Sequence, residues 1–247
     1  MQASRARREL TLALLTVVLA SCASEADPSR SPAQTPVIVE AEPGAGADDQ
    51  DPTRVMAELE DRMIAASRVE FEFSIESEGA LISSLSGRVR WRRDGEVSLS
   101  ATGEFAGQPQ QLELRGDATT LTTIVAGSER WTGARPPELI EALVLGLTHM
   151  GLLHNLAVLT GGMPPDHADA GAREWLATDD LELGPPESRA GTQASSLEFV
   201  IVVAGQAVGR ATLWLDADGL PIERRQSVEF PTGEMRVIER YANFVIE

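Results

Sequence analysis

The sequence predicts an α+β, β-rich fold in which a long antiparallel meander carries helices on its concave face. Three observations predict it. Apolar and polar residues alternate with period two over most of the chain after residue 68, Gly-containing turn pairs punctuate those runs, and one strongly apolar segment of helical length, residues 139–159, interrupts them.

The first residues are targeting rather than fold. Arg5, Arg7 and Arg8 precede an apolar run from Leu10 to Ala20, then Leu19-Ala20-Ser21-Cys22, the n-region, h-region and small-residue cleavage site of a secretory signal. The run is shorter than the roughly 20 residues a helix needs to span a bilayer core. Residues 1–21 are therefore read as a signal peptide. Leu19-Ala20-Ser21-Cys22 resembles the bacterial lipoprotein signal, which implies cleavage before Cys22 and acylation of that cysteine. Cys22 is the only cysteine, so no disulfide and no second thiol for redox, metal or nucleophilic work is expected. Two or three acyl chains anchor stably, at about 0.8 kcal/mol per buried methylene.

Residues 22–52 read as the lipidated cysteine followed by a disordered, acidic Pro/Ala/Gly tether. No aromatic residue occurs there, and the stretch has too little apolar area to offset the entropy of ordering. Such a tether reaches roughly 30 Å. The whole chain carries a net charge of −17, which deepens to −19 once residues 1–21, with three Arg and Glu9, are removed; no lysine occurs. That surface repels phosphate backbones and anionic headgroups, so nucleic acid is not expected as a partner, and membrane attachment falls to the acyl chains on Cys22.

Residues 53–247 form one domain. A first helix is expected from Pro52-Thr53 to about Ser67, capped by Thr53, with Val55, Met56, Leu59, Met63 and Ile64 on one face. Strands follow: Phe71, Phe73 and Ile75 alternate with Glu70, Glu72, Ser74 and Glu76, then Leu81, Leu85, Val89 and Trp91 alternate with Ser and Arg, and Asp94-Gly95 makes a tight turn. Val97, Leu99, Ala101 and Phe105 continue the apolar face, as do Leu112 and Leu114, then Leu121 to Val125 and a short strand through Trp131. Pro136-Pro137 ends this half. Leu139 to Leu159 is broken by Glu141, His149, His154 and Asn155, which suits one or two helices buried against the sheet better than a membrane span. After a Gly-, Pro- and Asp-rich loop, strands resume at Trp175–Leu183, Ser196–Val203, Val208–Leu215, Ile222–Phe230 and Glu234–Ile246. Leu197 to Val203 reads as covered on both faces, and alternation slips by one around Val237-Ile238, as at a bulge.

The order of helix, meander, helical insert and closing strands, together with Thr212-Leu213-Trp214-Leu215-Asp216-Ala217-Asp218-Gly219-Leu220-Pro221-Ile222-Glu223-Arg224, resembles the superfamily of periplasmic lipoprotein carriers LolA and LolB and the LppX and LprG type of lipid-binding lipoproteins. The resemblance implies a strongly curved antiparallel sheet, an unclosed barrel, wrapped around helices. It departs from LolA in carrying a lipidation signal, and the protruding apolar loop of LolB has no aligned counterpart.

From the residues alone, an apolar concave face closed by Leu-, Val- and Ala-rich helices can hold acyl chains without stranding polar groups. The candidate lining is Phe71, Phe73, Leu85, Trp91, Leu99, Leu143 and Leu147, which would equally serve a packed core. The expected function is a lipid-anchored envelope carrier or chaperone that binds a lipid or the acyl chains of lipoproteins; the alternative is an envelope protein-interaction or stress-sensing lipoprotein with no transported ligand. Ala23 is not the Asp that retains lipoproteins in many inner membranes, so the periplasmic face of the outer membrane is the expected location. No enzyme activity, cofactor or metal is expected. His149 and His154, five apart, read as core-edge or surface side chains. His167 near Asp166 and Asp169 reads as a solvated loop, and no Gly-x-Ser-x-Gly elbow, phosphate loop or dinucleotide fingerprint occurs.

Overall fold

The computed structural model describes residues 51–160, 172–189, 191–230 and 232–247. The signal, Cys22, most of the tether, and His167 with Asp166 and Asp169 lie outside the described residues.

Helix α1 spans Pro52–Ala65, with Pro52 in the first turn. Its cap is Asp51, whose Oδ1 accepts from the Thr53 amide at 3.0 Å, two residues earlier than the sequence suggested. Asp51→Ala is expected to cost about 1 kcal/mol in a urea titration, and Thr53→Ala much less. Met56, Leu59 and Met63 are buried as the periodicity required, with Val55 and Ile64 partly so.

Six strands follow: β1 (Arg68–Gly79), β2 (Ser83–Arg92), β3 (Val97–Phe105), β4 (Gln108–Gly116), β5 (Thr120–Val125) and β6 (Ser128–Ala134). The helical insert comprises α2 (Leu139–Leu145), a π turn (Gly146–Met150) and α3 (Leu152–Thr160); the short α4 (Ala172–Trp175) precedes β7. The closing strands are β7 (Leu176–Arg189), β8 (Thr192–Val203), β9 (Gln206–Leu215), β10 (Pro221–Phe230) and β11 (Gly233–Ile246). All join one sheet in the order β6-β5-β4-β3-β2-β1-β11-β10-β9-β8-β7, with every neighbouring pair antiparallel. The two meanders meet where β1 pairs with β11, and β6 and β7 are the open edges, so the sheet is not closed into a barrel.

The sheet curls around its helices. The helical insert touches β4 through α3 and β7 through the π turn, yet those strands stand eight places apart, about 38 Å in a flat sheet at 4.8 Å per strand. A helix is only about 10 Å across, so both contacts require strong curvature. Gly87 permits part of it: an added Cβ would lie 1.9 Å from the Ser100 carbonyl oxygen of β3 and 2.7 Å from the Phe73 ring. The fold class inferred from the sequence is the one observed, with helices and the sheet's inner face sharing one continuous apolar core.

Four details differ from the sequence reading. Leu81 lies in the turn before β2, not in the strand. β7 runs on through Gly184-Pro185-Pro186, because an edge strand with a register shift between Gly184 and Glu187 tolerates proline. β8 is buried on one face only: Leu197, Phe199, Ile201 and Val203 point inward, while Glu198 is exposed and Val200 and Val202 are half-buried. The bulge is not at Val237-Ile238. Met235, Val237, Glu239 and Tyr241 all face inward in unbroken alternation, and the register shift falls opposite Glu70/Glu72, near Asn243 with its φ of 55°. The pattern seemed to slip because a carboxylate, Glu239, occupies a core position.

Candidate functional site

The seven side chains proposed as cavity lining all belong to the one buried apolar cluster. Phe71, Phe73 and Leu85, with Trp91 and Leu99, stand on the inner faces of β1, β2 and β3, and Leu143 and Leu147 approach from α2 and the π turn; all seven are at most 4% exposed. Phe71 is the hub, edge-on to Trp91 at 6.3 Å and Tyr241 at 6.1 Å and stacked on Phe244 at 4.5 Å between ring centroids. Two open hollows on the molecule, of about 830 and 600 Å³, are lined by other residues, among them Arg62, Arg93 and Phe244 in the first and Arg210, Gln226 and Arg236 in the second. In this conformation the space between sheet and helices is filled by protein side chains. The Trp91 indole N–H and the Thr123 hydroxyl are buried in this region without a hydrogen-bond partner.

Beside its apolar burial, the insert is fixed by buried polar contacts that the alternation of the sequence does not indicate. Arg224 and Glu239, directly opposite one another on β10 and β11, both point inward and are fully buried. Arg224 donates through Nη1 to the Thr148 carbonyl (2.7 Å), through Nη2 to the His149 carbonyl (2.5 Å) and through Nε to Gln226 Oε1 (2.9 Å). Glu239 accepts the Leu152 and Leu153 amides, each at 2.9 Å, and the Tyr241 hydroxyl. The guanidinium thus serves the carbonyl end of the π turn, and the carboxylate serves the amide end of α3. Each charge meets the helix end whose dipole it complements, and satisfies backbone groups that a helix end otherwise strands in the core. Burial pushes the Tyr241 hydroxyl well above its ordinary range, with the Glu239 charge adding to the effect.

Between these two helix ends sits Gly151, at φ +89°, a left-handed conformation that favours glycine. A Cβ there would lie 2.7 Å from Glu239 Oε1 and 3.2 Å from Arg224 Nε. Gly151 is therefore required both by its backbone angle and by the close approach of the clamp. Gly151→Ala is expected to cost about 1–3 kcal/mol, read as a lowered urea midpoint.

A second polar cluster ties α1 to the same turn. Glu60, 3% exposed at its side chain, accepts from Thr148 Oγ1 (2.9 Å), His149 Nε2 (2.6 Å) and Arg173 Nη1 (3.0 Å), and Arg173 Nε reaches Glu141 at 2.7 Å. His149 is thus not a surface or core-edge group: it is buried and bonded to a carboxylate 89 residues away in sequence. His154 is half-buried beside the Trp175 ring at 5.6 Å. The two histidines belong to different helical segments, His149 to the π turn and His154 to α3, with the break at Gly151 between them.

The hairpin carrying the family resemblance is built on its outer face. Trp214 lies under Arg189 (4.2 Å from the ring centroid) and Arg225 (5.6 Å), and its indole N–H bonds Glu187. Asp216 Oδ1 accepts the Asp218 and Leu220 amides, each at 2.9 Å, and fixes the turn. The last residue of the motif, Arg224, turns inward as the clamp.

The described residues therefore define an unclosed antiparallel half-barrel filled and held by its own helices. Among solved structures, similar chains include a LolA superfamily protein from Nitrosomonas europaea (9% identity, 79% of this chain and 93% of that one, TM-score 0.31) and a beta-barrel-like protein of domain of unknown function DUF1849 from Brucella abortus (13%, 73% and 97%, TM-score 0.32). A domain named for outer membrane lipoprotein sorting, from Vibrio parahaemolyticus, gives 8% identity over 80% and 94% of the chains with a TM-score of 0.28. No family profile matches the chain. No curated protein matches it either.

Proposed function

We propose that this protein is an envelope lipoprotein, anchored through acyl chains on Cys22, whose domain binds a lipid or the acyl chains of lipoproteins between its curved sheet and its helical insert. The observation that carries this reading is the architecture of the interior. A largely apolar inner face, interrupted by the buried Arg224–Glu239 pair, meets a helical segment tied to the sheet at its central break through Arg224 and Glu239, and to α1 through Glu60. Helices pinned at a hinge can swing aside, and the apolar surface they uncover is what acyl chains need. The closed conformation described is then the unloaded one, with Leu143 and Leu147 standing where a chain would lie against Phe71, Phe73, Leu85, Trp91 and Leu99. The tether and lipid anchor would hold the domain within reach of the outer-membrane surface at its periplasmic face. Titration with a fluorescent fatty acid tests this. Saturable binding, weakened when Leu147→Asp places a charge among the lining residues, supports the proposal, and absence of binding by the folded wild type removes it.

One observation favours the second reading, an envelope protein-interaction or stress-sensing lipoprotein: all seven proposed lining residues are already packed. In that case the fatty acid would not bind, and a protein partner would be captured by the folded domain from envelope extracts without lipid.

A further inference from the structure

We propose that Glu60, His149 and Arg173 form a protonation-sensitive latch that holds α1 against the helical insert, so that acid frees the helices while the sheet stays folded. The inference stands on the geometry of the cluster and not on the ligand proposed above. Glu60 belongs to α1, Thr148 and His149 to the π turn, and Arg173 to α4, and all three partners converge on the one carboxylate. An ionised carboxylate only accepts, so His149 donates from Nε2. A neutral Glu60 would carry an O–H needing an acceptor. A neutral imidazole could supply one only by moving its proton to Nδ1, which is buried without a partner, and an imidazolium, with hydrogen on both nitrogens, could supply none. Arg173 Nη1 would at the same moment face an uncharged group. One proton therefore weakens every hydrogen bond that Glu60 makes to the turn and to α4.

The surroundings leave Glu60 as the group that decides. Glu141 of α2 shares Arg173 with it at 2.7 Å, and the β10 Arg224 faces the cluster from the sheet side through the Thr148 and His149 carbonyls. Glu239 and Tyr241 of β11 are engaged at the start of α3, beyond Gly151. On α1 itself Glu58, Asp61 and Arg62 are exposed, as are Asp179, Asp180 and Glu182 of β7, the strand that packs against α1 and the π turn. His154 of α3 stacks beside Trp175. Among the described residues, Glu60 is the one carboxylate within ion-pair distance of His149.

The direction of the effect follows. Burial raises the Glu60 carboxyl, but the hydrogen bond and charge of His149, with the bonds from Thr148 and Arg173, outweigh it and hold the group below its ordinary 4.5. A carboxylate depressed in the folded state contributes stability above the ordinary carboxylate range and loses it as pH falls through the folded value. The latch is closed at neutral pH and opens in acid.

Hydrogen exchange followed by mass spectrometry, on the full chain in phospholipid nanodiscs between about pH 7 and pH 3.5, tests this across the carboxylate range. With intrinsic exchange rates corrected, opening of the α2–α3 insert should grow by up to about tenfold per pH unit in acid, while the β1–β11 pairing stays protected. Glu60→Gln keeps the shape and cannot ionise, so its insert should already be open more often at neutral pH and should respond little to acid. Arg173→Gln, at a half-exposed side chain, leaves the Glu60–His149 bond and should move the midpoint to higher pH. Wild-type pH dependence retained in Glu60→Gln would overturn the proposal, as would helices and sheet losing protection at one shared midpoint. Should Glu60→Gln not fold, an unchanged midpoint in Arg173→Gln overturns it equally.

Discussion

Arg224→Met is expected to destabilise the protein by about 3–5 kcal/mol, the range for removing one partner of a buried charge pair. Methionine nearly matches the volume of the side chain, so packing changes little. What is lost is the set of donors to the Thr148 and His149 carbonyls, and what remains is Glu239 buried without the cation opposite it. Glu239→Leu should cost a similar amount, because the Leu152 and Leu153 amides and the Tyr241 hydroxyl lose their acceptor. The informative quantity is the double substitution. If the two charges act as one clamp, Arg224→Met with Glu239→Leu should cost less than the sum of the single losses by at least about 1 kcal/mol, a coupling expected of residues in contact through a shared element. Urea denaturation followed by tryptophan fluorescence measures all three. Strict additivity would mean that each charge serves its own helix end and nothing more.

Phe71→Ala is the second large effect. Phe71 is 1% exposed and touches Trp91, Tyr241 and Phe244, so truncation removes buried area and leaves a void, at a cost of about 3–5 kcal/mol. It also separates the two functional readings. A void opened between sheet and helices should raise affinity for a fatty acid if acyl chains use that space, since the void must otherwise be closed by moving the insert. A variant that is destabilised yet gains no affinity would point to an interior that serves as core alone.

The part of this fold legible in the sequence is the part governed by period. Phe71-Phe73-Ile75, Val97-Leu99-Ala101 and Leu112-Leu114 stand on the inner face as alternation required, and Met56, Leu59 and Met63 form the buried stripe of α1. The charged inner residues were not legible. Glu60 lies in the core-facing stripe beside Leu59, but a pattern that sorts residues into apolar-in and charged-out assigns it to solvent. The same rule sends Arg224 and Glu239 outward, and misplaced the β11 bulge because Glu239 broke an alternation that the backbone keeps. Their burial depends on partners 75 to 113 residues away, which no local window contains. One signal was present: Gly146, Gly151 and Asn155 inside an otherwise apolar helical run marked a place where two helical pieces meet, and the clamp sits at that break. The candidate lining lies within one buried apolar cluster, and whether it bounds a cavity depends on the position of the insert, which composition does not fix.

The most direct test of a lipid-binding interior is native mass spectrometry, with lipid extraction, on residues 51–247, which retain the Asp51 cap, exported to a bacterial periplasm without the anchor. The account predicts acyl lipid bound in near-stoichiometric amount and lost on Leu147→Asp. A clean lipid-free mass together with no fatty acid binding would contradict it, and would assign the concave face to the protein's own helices.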